Sequence, residues 1–208
     1  MISIYYFEFE KKYPFNKTAR FNYNSISYDL LNYILIFKKN TGNNVKICKN
    51  KFGKPFLKNN PDIFFNISYS KNIIIIAISN VNIGIDIEIK QNLSKDFQKN
   101  FHYYEQEVIS TSSDIFIPLK YWTLKESYLK YLGVGLSKNL KSFYCVPLDK
   151  TKEIFSVNDL EIKNNDIKIK VFNCIPNYFF SLCAQKKDLD NIKIFKIISY
   201  SDISLKNL

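Results

Sequence analysis

Ile83-Gly84-Ile85-Asp86-Ile87-Glu88-Ile89 alternates between isoleucine and small or acidic residues without a break. Successive side chains of a β-strand point to opposite faces. As a strand, the stretch sets Ile83, Ile85, Ile87 and Ile89 on one face and Gly84, Asp86 and Glu88 on the other. The isoleucine face needs a core. The opposite face holds two carboxylates side by side, with a glycine leaving room next to them. Adjacent anions repel unless something positive lies between them, and hard carboxylate oxygens suit magnesium. An edge strand with a solvated polar face would show the same alternation, so a metal reading needs a partner elsewhere in the chain.

Tyr121-Trp122-Thr123-Leu124-Lys125-Glu126-Ser127-Tyr128-Leu129-Lys130-Tyr131-Leu132 offers one. On a helix, Glu126 shares a face with its i−4, i+3 and i+4 neighbours Trp122, Leu129 and Lys130. Trp122 and Leu129 are expected to face the core, which puts Glu126 at an apolar boundary where a carboxylate wants a cation. An ordinary Glu–Lys pair at this spacing, worth only about a few tenths of a kcal/mol, is the plainer alternative. Together the two segments supply three carboxylates and a lysine. That set suits phosphoryl transfer, in which a metal clamps phosphate oxygens and a lysine neutralises developing charge.

Working outward, residues 1–9 read as a strand. Residues 24–39 read as a helix with the stripe Leu30, Leu31, Ile34, Leu35 and Ile36, ended by Gly42. Strands at 63–68, 73–79 and 83–89 are joined by short turns and predict an antiparallel meander. Helices follow at 96–110 and 118–132, the second with Pro118 in its first turn and Gly133 at its end. Further strands fall at 143–146, 167–172, 178–184 and 192–198. Helix then meander, twice, predicts an α+β fold: two similar halves, 1–92 and 93–208, each a helix plus antiparallel strands in a pseudo-twofold arrangement. The active site is expected at the seam.

The 208 residues carry a formal net charge of +11, which draws anionic partners. Cys48, Cys145, Cys174 and Cys183 form no CxxC pair and read as reduced core cysteines of a cytoplasmic protein. No cleavable apolar leader and no membrane-length apolar run is expected. His102 is the only histidine and no nucleophile elbow accompanies it, which disfavours a Ser-His-Asp hydrolase. No Walker loop occurs among the five glycines. The tyrosines and phenylalanines lie at core-like spacings and do not alternate with basic residues, so a nucleic-acid stacking platform is not expected.

Gly53-Lys54-Pro55, Phe65-Asn66-Ile67-Ser68-Tyr69-Ser70, Gly84-Ile85-Asp86-Ile87-Glu88 and Trp122-Thr123-Leu124-Lys125-Glu126-Ser127-Tyr128-Leu129-Lys130 occur in that order. Gly133-Val134-Gly135-Leu136 follows them. In order and spacing this set resembles the signature motifs of the surfactin-type 4′-phosphopantetheinyl transferases. The resemblance is fullest from Gly53 to Val146. It implies that Asp86, Glu88 and Glu126 hold Mg2+, which bridges to the pyrophosphate of the co-substrate coenzyme A. It implies that Lys130 contacts the phosphates beside Lys125, that Lys54 sits against the nucleotide end, and that Ser68 lies in the coenzyme A pocket. Glu105 matches an acidic position implicated in deprotonating the acceptor serine. The implied partner is an acidic acyl or peptidyl carrier protein, and the implied state is a monomer.

Two positions depart from the family pattern. Tyr69 stands where the family usually has a histidine that touches a coenzyme A phosphate. Tyrosine can donate a hydrogen bond there but carries no positive charge at neutral pH. Asp29 stands where the family tends to place an arginine in its first helix, with Lys17 and Arg20 nearby. Two other functions stay open. Asp-x-Glu with Glu-x-x-x-Lys on a basic chain also suits a metal-dependent nuclease, and Tyr69 with Asp29 would suit a non-catalytic carrier-binding relic.

Overall fold

The alternating segment forms a strand, and its isoleucine face goes into a core between two sheets. A computed structural model describes residues 1–9, 19–38, 45–94, 96–149, 153–162 and 166–197. The expectations for Gly42 and Lys17 lie outside these residues, as does the side chain of Arg20. The order of elements is β1 Ile2–Glu8, α1 Ala19–Tyr33 with a π-helical turn over Ile34–Lys38, β2 Ile47–Lys49, β3 Pro55–Leu57, β4 Phe64–Ser70, β5 Ile73–Ser79 and β6 Gly84–Ile89. Then come α2 Tyr103–Thr111, α3 Ile117–Leu132, β7 Phe143–Asp149, β8 Ile154–Asp159, β9 Ile167–Phe172, β10 Tyr178–Gln185 and β11 Ile192–Ile197. The α+β class expected from the sequence is the class observed.

The expected three-stranded meander is cut after its first hairpin. β4 and β5 pair antiparallel, in a first sheet of order β11-β1-β5-β4. β6 leaves them for the edge of a second sheet of order β6-β10-β9-β8-β7, where Asp86 lies opposite Ser181 and Gly84 opposite Cys183. Among the described residues only β10 offers β6 a backbone ladder. β11, from the far end of the chain, runs parallel to β1 in the first sheet. The helix expected over 96–110 is also divided: a short 3-10 turn at Phe97–Asn100 precedes α2, which His102 caps.

Between the sheets, Ile83 just before β6 and Ile85 and Ile87 within it pack with Ile2 and Ile4 of β1, Ile73 and Ile75 of β5, and Phe180 and Leu182 of β10. Each of these large side chains contributes about 1.5–3 kcal/mol by leaving water. α1 covers the outer face of the first sheet through Leu30, Leu31, Ile34 and Leu35. α3 covers the outer face of the second through Leu124, Tyr128 and Leu129. All four cysteines are free thiols; Cys145 and Cys183 are buried as expected, whereas Cys174 is exposed. Among the described residues no helix is long and apolar enough to cross a membrane.

α3 lies directly on β6 at one point. A Cβ placed on Gly84 would stand 2.1 Å from the carbonyl oxygen of Ser127 and 2.3 Å from the amide nitrogen of Tyr131. The room at this glycine is therefore filled by the backbone of α3, and is not space beside the carboxylates. Both opposing atoms are main chain, so no side-chain movement relieves the clash. Gly84→Ala is expected to destabilise the fold by about 1–3 kcal/mol or more, read as a lower urea midpoint. An unchanged midpoint would contradict the contact.

Candidate active site

β6 sits at the edge of its sheet, and an edge strand carries a row of unpaired backbone groups. Buried amides need partners, and here β4 supplies them with side chains. The amide of Ile85 donates to Asn66 Oδ1 at 2.8 Å, that of Ile87 to Ser68 Oγ at 3.3 Å, and that of Ile89 to Ser70 Oγ at 3.1 Å. The same serines reach the acidic residues between those amides. Ser68 Oγ donates to Asp86 Oδ1 at 2.9 Å and Ser70 Oγ to Glu88 Oε2 at 2.8 Å. Asp86 and Glu88 thus stand on the α3 side of β6, beside the line where the two sheets meet.

α3 brings Trp122, Glu126 and Lys130 to this edge at helical spacing. Lys130 Nζ lies 2.6 Å from Asp86 Oδ1 and 2.8 Å from Ser68 Oγ. Trp122, on the helix side, is the weakest of the groups that pull the Glu88 carboxyl down. Burial pushes the Glu126 carboxyl up to about 7, with the Asp86 and Glu88 charges adding to the rise and Lys130 opposing it. Glu88 is raised as well, by burial first and by Asp86 second.

Glu126 feels both other acids, yet the three are not a closed cage. Among the described residues no group of three His, Cys, Asp or Glu side chains is gathered closely enough to hold a metal ion as it stands. The donors nonetheless fit a divalent cation. Asp86 is 4% exposed, and its Oδ2 is buried without a hydrogen-bond partner. A buried lone carboxylate oxygen is costly, and a hard cation is the group that oxygen ligands of this kind take.

The structure does not bring the other expected residues to this cluster. Glu105 and Lys125 meet on a different stripe of α3. Lys125 Nζ lies 2.7 Å from Glu105 Oε2, and the two side chains are 0% and 1% exposed. Lys125 also donates to the carbonyls of Leu140 and Phe143 and lies 4.0 Å from the Phe143 ring centre. Glu105 accepts from the amides of His102 and Cys145. Burial pushes the Glu105 carboxyl up, against the pull of Lys125 and these amides.

Lys54 stands at the C-terminal end of α3, where its ammonium donates to Asn82 Oδ1 and to the carbonyls of Ile83 and Tyr131. Burial pushes it down to about 8. With Asn50, which donates to the Gly133 carbonyl at 2.8 Å, it fastens the end of the helix. Tyr69 points away from Ser68 and Ser70, by strand alternation, and stacks on Tyr23 with ring centres 4.6 Å apart. Asp29 lies on α1 and is half-buried.

Ser70 is a neighbour of the acids that sequence reasoning did not single out. The Asn-x-Ser-x-Ser period of β4 was the available signal: three polar residues at alternate positions, in a strand whose neighbours are apolar, ask for polar partners across a buried gap.

Comparison with known proteins gives the same grouping. A family description, the 4′-phosphopantetheinyl transferase superfamily, matches residues 82–183, which span β6 through most of β10. The chain is 30% identical over 182 residues to the 4′-phosphopantetheinyl transferase gsp of Aneurinibacillus migulanus, covering 84% of this chain and 74% of that protein. It is 29% identical over 163 residues to the 4′-phosphopantetheinyl transferase Sfp of Bacillus subtilis, covering 76% and 70%. The chain belongs to the 4′-phosphopantetheinyl transferase superfamily, a family of enzymes.

The raised Glu126 carboxyl makes the metal-free fold pH-dependent. From its usual 4.5 up to about 7 the folded protein keeps this proton while the unfolded chain has released it. Stability therefore falls as pH rises through that window. Glu126→Gln, which cannot ionise, is expected to flatten part of the decline in urea midpoint between pH 5 and pH 8. Identical pH profiles for the two proteins would contradict the assignment.

Proposed function

We propose that the chain transfers the 4′-phosphopantetheine group of coenzyme A to a serine of an acyl or peptidyl carrier protein and releases 3′,5′-ADP, with Mg2+ held by Asp86, Glu88 and Glu126. The observation that carries this reading is the unpartnered, buried Asp86 Oδ2, set beside two carboxylates whose acidity is suppressed by burial and by Asp86. Family membership supplies the reaction class.

Magnesium, when bound, supplies charge that clamps and neutralises pyrophosphate oxygens. Lys130, 26% exposed at its side chain, adds a second positive charge at the same edge and reaches a phosphate there. Ser68, locked between the Ile87 amide and Asp86, forms the floor of the coenzyme A pocket. The serine oxygen of the carrier forms a bond to the β-phosphorus. The bond from that phosphorus to 3′,5′-ADP breaks, and its electron pair leaves with the nucleotide. The serine proton passes to a carboxylate of the site. Glu126, near 7 without metal, is the group whose acidity lies closest to neutrality.

Glu105 and Lys125 take a bracing role in this reading. Their buried pair joins α2 to α3 and to the start of β7, and breaking such a pair costs about 3–5 kcal/mol. Lys54 holds α3 from its other end. A net charge of +11 steers an acidic carrier towards the enzyme. A monomer and a cytoplasmic setting complete the reading, and free thiols suit the latter.

Intact-protein mass spectrometry of an apo carrier incubated with the chain, coenzyme A and magnesium tests the reaction. A metal-dependent gain of one phosphopantetheine per carrier is expected, and Glu126→Ala should slow it by roughly a hundred-fold or more. No gain with fatty-acid or peptide carriers would overturn the function. Full activity of Glu126→Ala would overturn the metal triad.

A further inference from the structure

The contacts between β4 and β6 repeat every two residues, but the three repeats are not equivalent. Asn66 accepts the Ile85 amide and touches no acid, because the residue before Ile85 is Gly84. Ser68 accepts the Ile87 amide and donates to Asp86. Ser70 accepts the Ile89 amide and donates to Glu88. A serine hydroxyl has one proton and two lone pairs, and an ionised carboxylate can only accept. The strand amide therefore fixes which way each hydroxyl faces, and its single proton is aimed at the acid one residue earlier in β6. The first repeat only joins the sheets. The second and third join the sheets and also hold a carboxylate.

We propose that Ser70 is a positioning residue for Glu88, fixing that carboxylate so that it reaches the divalent cation as a ready-made ligand. This inference rests on the proposed metal site. Ser70 is buried, at 8% exposure. Its proton holds Glu88 from the β4 side, at 2.8 Å from Oε2. A flexible glutamate at a strand end is thereby confined before any cation arrives. Groups that orient metal ligands in this way typically change metal affinity by about 10–100-fold when removed.

The test is a titration of the full chain with manganese(II), following free ion by electron paramagnetic resonance, with and without coenzyme A, alongside the urea midpoint of each variant. Ser70→Ala is expected to weaken manganese binding by about 10–100-fold. Ser70→Thr keeps the hydroxyl and should retain most of the affinity. Ser70→Cys keeps the size and replaces a strong donor by a weak one; it gives a smaller loss in the same direction and serves if Ser70→Ala does not fold. Asn66→Ala removes a seam contact without touching an acid, so it should lower the urea midpoint and leave manganese affinity as in the wild type. Unchanged affinity in Ser70→Ala and Ser70→Cys overturns the inference. An equal loss in Asn66→Ala also overturns it, by showing that affinity follows the seam as a whole. If the wild type itself takes up no manganese, the metal site beneath the inference fails and takes it along, an outcome distinct from the first two.

Discussion

The backbone of α3, lying directly on Gly84, sets the rest of the site. The contact fixes Ser127, Lys130 and Tyr131 of the helix against the first residue of β6. Glu126 and Lys130 flank that point within a turn, so they can stand only over Asp86 and Glu88. Lys54 clamps the same junction, because its ammonium ties the carbonyl of Ile83 to that of Tyr131. A larger residue at position 84 would move the helix, and with it the third carboxylate and the lysine, away from the strand.

Electrostatics separates two lysine–carboxylate pairs that look alike in sequence. Lys125–Glu105 is sealed from water, and every strong donor and acceptor around it is used. Removing either partner strands a buried charge, so the pair behaves as part of the frame. Lys130–Asp86 is open on the lysine side, with 26% of that side chain exposed, and leaves one Asp86 oxygen without a partner. That pair can be re-formed around an incoming anion or cation at modest cost. The negative charge of Glu88 and Glu126, whose acidity burial weakens, is what a divalent ion would relieve.

Much of this was legible in the sequence, because it depended on local periodicity. The alternation of residues 83–89 gave both the buried isoleucine face and the paired acids. Pro118 and Gly133 bracketed α3 to within a residue, since a helix start and a left-handed end are local chemistry. The sheet to which β6 belongs was not legible: pairing is decided by what lies alongside, and β10 is about ninety positions away in the chain. β8 and the short β2–β3 hairpin escaped because short strands with polar positions carry little periodic signal. Lys125 and Glu105 matched expected site positions by motif, but the face of α3 that Lys125 occupies turns it to Glu105 of α2 and away from Asp86. A motif gives residue identity and spacing, and the helix face decides which neighbour is met.

The most direct check of the central claim is anomalous diffraction from crystals grown with manganese and coenzyme A. The account predicts one anomalous peak bounded by Asp86, Glu88 and Glu126, with Lys130 turned towards the pyrophosphate. A peak elsewhere on the chain, or an ordered pyrophosphate at this edge with no metal beside the three acids, would contradict it.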